Sequence, residues 1–270
     1  MHVAITGASS GIGEALVREF LRAGASVTMI ARRRELMEAI ASSAGGGGKA
    51  RVVVADLGKV ATACDWIADA ENALGPIDVL INNAGVQHVE PSHTIDTARG
   101  LAEIEVDLLV PLALTRALLP GMVARKSGTI VDVASVAGLA PTPGMWHYNA
   151  AKGGLAAASE SLRGELRGSG VHVVTVYPGP VDTPMARAGY LAYPESWATK
   201  MVPEGKPDVL ARRVRAAVEK RRARVIYPRW YVLTRWFPGS TRWFLDHFTP
   251  APFSLEDQKK AAQLTEGKPQ

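Results

Sequence analysis

One cysteine, Cys64, stands in 270 residues. An intramolecular disulfide is therefore impossible, which suits a reducing compartment such as the cytosol. No run of about 18 apolar residues is present, so no membrane-spanning helix is expected. An apolar strand pattern begins almost at Met1, which leaves no signal peptide ahead of it. No His/Cys/Asp/Glu cluster has metal-ligand spacing. His88, His93, His147 and His247 could each line a cleft; scattered surface histidines are the favoured reading, with His147 beside Tyr148 the exception. No internal repeat is visible.

What is present fits one α/β domain. A chain of 28.7 kDa with 47% apolar residues can bury a substantial core. Strand-like runs fall near 2–6, 26–31, 50–55, 78–82, 128–133, 171–177 and 224–227, with helical patterns between them. Such alternation predicts a doubly wound, mainly parallel seven-stranded sheet with helices on both faces. Ala23-Gly24 and Leu74-Gly75-Pro76 are helix stops, and 45–48 is a glycine loop.

The first strand runs into TGASSGIG, residues 6–13. Gly7, Gly11 and Gly13 permit a tight turn, close approach of backbone to a phosphate, and close packing of helix on strand. Ser9, Ser10 and Ile12 complete a loop that opens a helix. The helix N-terminus offers free N–H groups and partial positive charge to a pyrophosphate. The spacing is G-x-x-x-G-x-G rather than the commoner G-x-G-x-x-G. After the second strand come Arg32, Arg33 and Arg34, with no acid until Glu35. A carboxylate there would repel a 2′-phosphate, whereas a guanidinium grips it through two hydrogen bonds. NADP(H) is therefore expected over NAD(H), with Arg32 the leading contact and Arg33 the second. The alternative is a solvated basic start to a helix.

Tyr148 and Lys152 in YNAAK are four apart and share one helix face. An ammonium beside a phenol favours phenolate and is expected to pull the phenol pKa below about 10. Tyr148 then serves as a general acid or base. Ser135, thirteen residues earlier, can donate a hydrogen bond to an oxygen that gains negative charge.

TGASSGIG, Asp56 after the third strand, NNAG at 82–85, Ser135, YNAAK and YPGPVDTP at 177–184 occur in the order of the short-chain dehydrogenase/reductase family. The chain resembles that family over roughly residues 1–227. The resemblance implies a Rossmann-type fold in which Lys152 reaches the nicotinamide ribose. It places Asp56 and Leu57 at the adenine and Asn82, Asn83, Ala84 and Gly85 under the cofactor. Pro178, Gly179, Val181 and Thr183 then face the nicotinamide. Family members carry an asparagine where counting back from Thr115 gives Asp107, and its backbone carbonyl feeds a proton relay to the lysine. A buried carboxylate here is expected to pair with Lys152 or to have its own pKa raised, and to alter the pH profile.

Residues 184–206 read as the substrate lid. Met185, Tyr190, Leu191, Tyr193, Trp197 and Met201 in it favour a bulky apolar carbonyl or alcohol substrate. Residues 1–228 are expected to form the main domain and 229–270 an extension. The stretch 205–243 holds eleven Lys/Arg against two acids. Beyond Pro228, Trp230, Tyr231, Trp236, Phe237, Trp243, Phe244 and Phe248 interleave with Arg229, Arg235 and Arg242. Packing on the protein's own body or a subunit contact is the leading reading. Contact with an anionic membrane surface comes second and nucleic acid a distant third. The segment 256–270 reads as a frayed polar tail. Small residues at Ala151, Gly153, Gly154 and 156–158 let a neighbouring helix approach, and in the family that helix forms a subunit interface, so a homodimer or homotetramer is expected. An NADP(H)-dependent oxidoreductase is the reading favoured here. A non-catalytic NADP(H) sensor and a membrane-surface reductase of lipid metabolism are the alternatives.

Overall fold

The computed structural model describes residues 1–194 and 203–253. Seven strands form one parallel sheet: β1 (His2–Thr6), β2 (Ser26–Ala31), β3 (Ala50–Val54), β4 (Val79–Asn82), β5 (Gly128–Val133), β6 (Val171–Pro178) and β7 (Arg224–Tyr227). Their order is β3-β2-β1-β4-β5-β6-β7, and every neighbouring pair is parallel. The predicted strands are all found, within about a residue at each end. β1, β4 and β5 are buried along their whole length, as expected for strands covered on both faces.

Helices α1 (Gly11–Arg22), α2 (Arg34–Ser43), α3 (Ile67–Leu74), α4 (Thr97–Ile104), α5 (Val110–Ala124), α6 (Trp146–Glu165), α7 (Pro184–Tyr190) and α8 (Pro207–Glu219) fill the connections. Two apolar cores result, one on each side of the sheet. Leu16, Val17 and Phe20 of α1 meet Leu210 and Val214 of α8 over Val3 and Ile5. Trp66, Leu114, Leu118 and Met122 cover Ala4, Leu80 and Ile130 on the other face. The period-two alternation of β1 decides which core each side chain joins. Truncating the fully buried Phe20 to Ala would cost about 3–5 kcal/mol. α1 ends as predicted, with Gly24 at φ +80°.

Between α4 and α5 the backbone runs through a π-helical turn, Glu105–Leu109. The continuous helical segment Thr97–Ala124 is long and apolar enough by composition to cross a membrane. Arg99, Glu103, Glu105, Asp107 and Arg116 interrupt it, so it holds no unbroken run of about 18 apolar residues. In the fold it packs against the sheet and α6, and it buries Glu103 and Asp107.

Beyond β7 the chain forms α9 (Val232–Trp236) and α10 (Pro238–Phe248). Arg235 reaches Glu160 of α6 at 3.4 Å, and the Phe253 N–H donates to the Ala192 carbonyl at 2.7 Å. The extension therefore packs on the body of its own chain. Residues 195–202, with Trp197 and Met201 of the lid, and the tail 254–270 lie outside the described residues.

Candidate active site

β1 and β4 are neighbours, but the chain winds away from them in opposite directions. A crevice opens there beyond the carboxyl ends of the strands. The glycine loop after β1 and the NNAG turn after β4 form its floor. Gly7 has φ +67°, and a Cβ on it would lie 2.8 Å from Ala84 Cα. A Cβ on Gly13 would lie 2.1 Å from the Gly7 carbonyl oxygen. The turn closes only without these side chains. Thr6 Oγ1 accepts the N–H groups of Asn83 and Ala84, each at 2.9 Å, while Asn83 Nδ2 donates to the Thr6 carbonyl at 2.9 Å. The first-turn N–H groups of α1 have no intrahelical acceptor and face this space.

The crevice is part of one cavity of about 1070 Å³. Ser9, Ser10, Gly11, Ile12, Arg32, Arg33, Asp56 and Leu57 line it, as do Gly85, Pro178, Gly179, Val181 and Thr183. Asn82 does not line it. Its side chain turns into the core and donates to Asp132 Oδ1 at 2.8 Å and Thr115 Oγ1 at 3.1 Å. The expectation for Asn82 is corrected: alternation along β4 sends its side chain away from the crevice and that of Asn83 toward it. Both arginines line the cavity, but it is Arg33 whose Nη2 donates to Ser9 and Ser10 Oγ, each at 2.9 Å. The guanidinium is thereby held on the glycine loop.

Deeper in the same cavity lie Ser135, Tyr148, Lys152 and Asp107. Ser135 opens a short 3₁₀ turn after β5; its Oγ accepts the Ala137 N–H at 3.0 Å and donates to the Pro178 carbonyl at 3.5 Å. Lys152 Nζ sits 5.8 Å from the Tyr148 ring centre. It donates to the Val133 carbonyl at 3.1 Å and faces Asp107 Oδ2 at 3.3 Å. Asp107 Oδ1 accepts the Val86 N–H at 2.8 Å. The π-turn is what carries the Asp107 carboxylate to this place, because its extra residue rotates the helix face.

Both outcomes expected for Asp107 occur together. Burial pushes its carboxyl up, while Lys152 and the Val86 N–H pull it down, and burial prevails. Burial pulls Lys152 down, but Asp107 raises it above the ordinary lysine value. The expectation of a lowered Tyr148 pKa is corrected. Burial raises the phenol more than Lys152 lowers it, and Asp107 opposes the lysine by adding a negative charge. Spacing alone carried no information on that counter-charge.

Glu103, not singled out by the sequence, and His88, named there as a histidine that could line the cleft, complete the cluster. Glu103, one turn before Asp107, is buried, and its Oε1 accepts the His88 N–H at 3.0 Å. Acids at 103, 105 and 107 in a mostly apolar helical segment were the available signal. His88 lines the cavity, whereas His147 packs its ring against Gly100, where a Cβ would meet Cε1 at 2.3 Å. The expectation that His147 is the exceptional histidine is corrected: one step along α6 from Tyr148 turns it about 100° away.

The remaining wall is apolar. Val89, Met145, Met185, Tyr190 and Tyr193 come from the body and lid, and Tyr231, Phe244 and Leu245 from the extension. Tyr231 lies flat on Gly179, where a Cβ would meet its ring at 2.5 Å. A crevice with glycine turns, exposed helix-start N–H groups and an anchored guanidinium fits an NAD(P) dinucleotide, with the Ser135–Tyr148–Lys152 group at its end.

Comparison with known proteins agrees with this geometry. The short chain dehydrogenase family model matches residues 1–191. A short chain dehydrogenase of Pseudocercospora fijiensis is 37% identical over 184 residues, which is 66% of this chain and 59% of that protein. A fatty acyl-CoA reductase of Mycobacterium tuberculosis is 36% identical over 193 residues, 68% of this chain and 64% of its own length. The chain thus matches about three fifths of the length of these two relatives. A ketoacyl reductase of Nostoc is 32% identical over 225 residues, covering 83% of this chain and 77% of that one. Among solved structures, a metagenomic short-chain oxidoreductase in complex with NADP superimposes with TM-score 0.69 at 32% identity, over 84% of this chain and 96% of the other. A 3-ketoacyl-(acyl-carrier-protein) reductase from Brucella melitensis complexed with NADH gives TM-score 0.72 at 26% identity, over 84% and 96%. By matched length, by sheet order and by the cluster at the end of the crevice, the chain belongs to the short chain dehydrogenase family of NAD(P)-dependent oxidoreductases.

Proposed function

We propose that the protein reduces a bulky apolar ketone, or oxidises the matching secondary alcohol, with NADP(H) in preference to NAD(H). The observation that carries this reading is the Ser135–Tyr148–Lys152 cluster at the bottom of a cavity whose far wall is apolar. The bound cofactor supplies or accepts the hydride at the carbonyl carbon. Ser135 Oγ holds the carbonyl oxygen, and Tyr148 donates its phenolic proton to that oxygen. Lys152 stabilises the phenolate left behind and fixes the cofactor ribose. Burial and Asp107 keep the phenol protonated, which favours the reductive direction. Arg33 on the glycine loop, with Arg32 beside it and no acid at the end of β2, supports the 2′-phosphate. Two relatives bear names of reductases acting on acyl groups, in keeping with an apolar substrate. In this reading residues 1–228 carry cofactor and chemistry, and the extension closes the substrate side. The small-residue face of α6 supports a homodimer or homotetramer.

The test is loss of nicotinamide absorbance with NADPH and with NADH against a panel of hydrophobic ketones. NADPH should give the higher kcat/KM, and Tyr148→Phe should lower kcat about 10²–10⁴-fold. Faster turnover with NADH removes the arginine assignment. Tight NADPH binding without turnover on any ketone favours the sensor. A second reading has a specific observation behind it: Trp230, Trp236 and Trp243 of the extension are 58–73% exposed beside Arg229, which suits contact with an anionic lipid surface. Sedimentation with phosphatidylserine vesicles decides it.

A further inference from the structure

Glu103 sits one helical turn before Asp107 with 1% of its surface in solvent. Its Oε1 accepts the His88 N–H at 3.0 Å, and its Oε2 lies 3.5 Å from His88 Nδ1. An ionised carboxylate buried in this way needs a cation. The nearest cations are committed elsewhere: Lys152 to Asp107 at 3.3 Å and Arg99 to Glu90 at 3.3 Å. His88 differs from Glu103 in one respect that matters. Its ring lines the cavity, while the carboxyl lies behind it.

Burial pushes the Glu103 carboxyl up to about 7; the His88 N–H pulls it down, Asp107 pushes it up, and Lys152 and Arg99 pull it down. His88 is held below the ordinary imidazole value by burial, with Arg99 and His147 adding to the effect and Glu90 opposing it. A neutral imidazole can take a proton on one nitrogen and release one from the other.

We propose that Glu103 is a positioning residue that stores a proton for the Lys152–Asp107 pair and exchanges it with cavity water through His88. The idea rests on the oxidoreductase reading above. In each reductive turnover Tyr148 loses one proton to the product oxygen. Lys152 returns a proton to the phenolate, Asp107 restores it to Lys152, Glu103 one helical turn away resupplies Asp107, and His88 brings one from solvent. One proton enters and one leaves with product.

Glu103→Gln keeps the volume and the oxygen that accepts the His88 N–H, but it cannot exchange a proton. The first measurement is calorimetry of NADPH binding in buffers of different ionisation enthalpy, which reports protons taken up per cofactor. If cofactor draws Lys152 toward the ribose, the carboxyl pair gains a proton, so uptake should peak near neutral pH in the natural protein. It should fall at least twofold in Glu103→Gln. With the best ketone, kcat of that variant should drop about tenfold, below the effect of direct proton transfer. KM should stay the same, and the inflection of the pH–rate curve near neutrality should vanish. His88→Asn keeps the backbone N–H and removes the ring; it should show the same kcat loss, and it decides the matter if Glu103→Gln does not fold. Proton uptake and a pH–rate curve in either variant like those of the natural protein overturn the proposal. Absence of any NADPH binding by the natural protein overturns instead the cofactor reading beneath it.

Discussion

Replacing the Asp107 carboxylate by a carboxamide removes the negative charge that raises both Lys152 and Tyr148. Lys152 then acts on the phenol unopposed, and the proton affinity of Tyr148 falls. Reduction needs the protonated phenol. The alkaline limb of the pH–rate profile of Asp107→Asn should therefore move to lower pH, with kcat at neutral pH changing less than about tenfold. A profile that coincides with that of the natural protein would show that the ion pair does not govern the phenol. Tyr148, Lys152 and Ser135 were legible because i,i+4 spacing and motif order are local properties. Glu103 and His88 were not, because their meaning depends on which groups the fold leaves without a counter-ion.

At the scale of elements, Glu160 ties α6 to three neighbours. It pairs with Arg163 at 2.8 Å, with Arg224 of β7, and with Arg235 of α9 at 3.4 Å, and it accepts the Tyr177 hydroxyl of β6 at 3.0 Å. Burial pushes its carboxyl up, but Arg224, Arg163 and Tyr177 outweigh burial and hold it at about 2. A depressed carboxylate stabilises the fold above its unfolded value of 4.5. That contribution is lost as pH falls through about 2. With 23% of the side chain in solvent, screening reduces the effect. Glu160→Gln should cost about 1–2 kcal/mol at neutral pH. The cost should shrink steadily as urea midpoints are taken at pH values below 4.5. A pH-independent difference would mean that packing rather than charge joins these elements. Strand positions and helix stops were readable from alternation and glycine. The π-turn that aims Asp107 was not, because an added residue in a helix leaves no mark in apolar periodicity.

For the molecule as a whole, the extension contributes Tyr231, Phe244 and Leu245 to the wall of the cavity, which the proposed function reads as its substrate end. Leu245→Ala removes apolar surface on that wall, far in sequence from the cofactor loop. KM for a bulky ketone should rise roughly tenfold, the equivalent of about 1.4 kcal/mol, with NADPH affinity unchanged. An equal loss in cofactor affinity would mean that the extension holds the whole crevice rather than its substrate end. The amino-acid order by itself determined the parallel α/β sheet, the glycine loop after β1 and the grouping of Ser135, Tyr148 and Lys152, because each is written in short-range pattern. Only the tertiary structure decided that burial raises the proton affinity of the phenol, that Arg33 is the anchored arginine, and that the basic aromatic segment folds back over the cleft. Those outcomes depend on burial and on charges brought together from distant parts of the chain, and no local spacing encodes either.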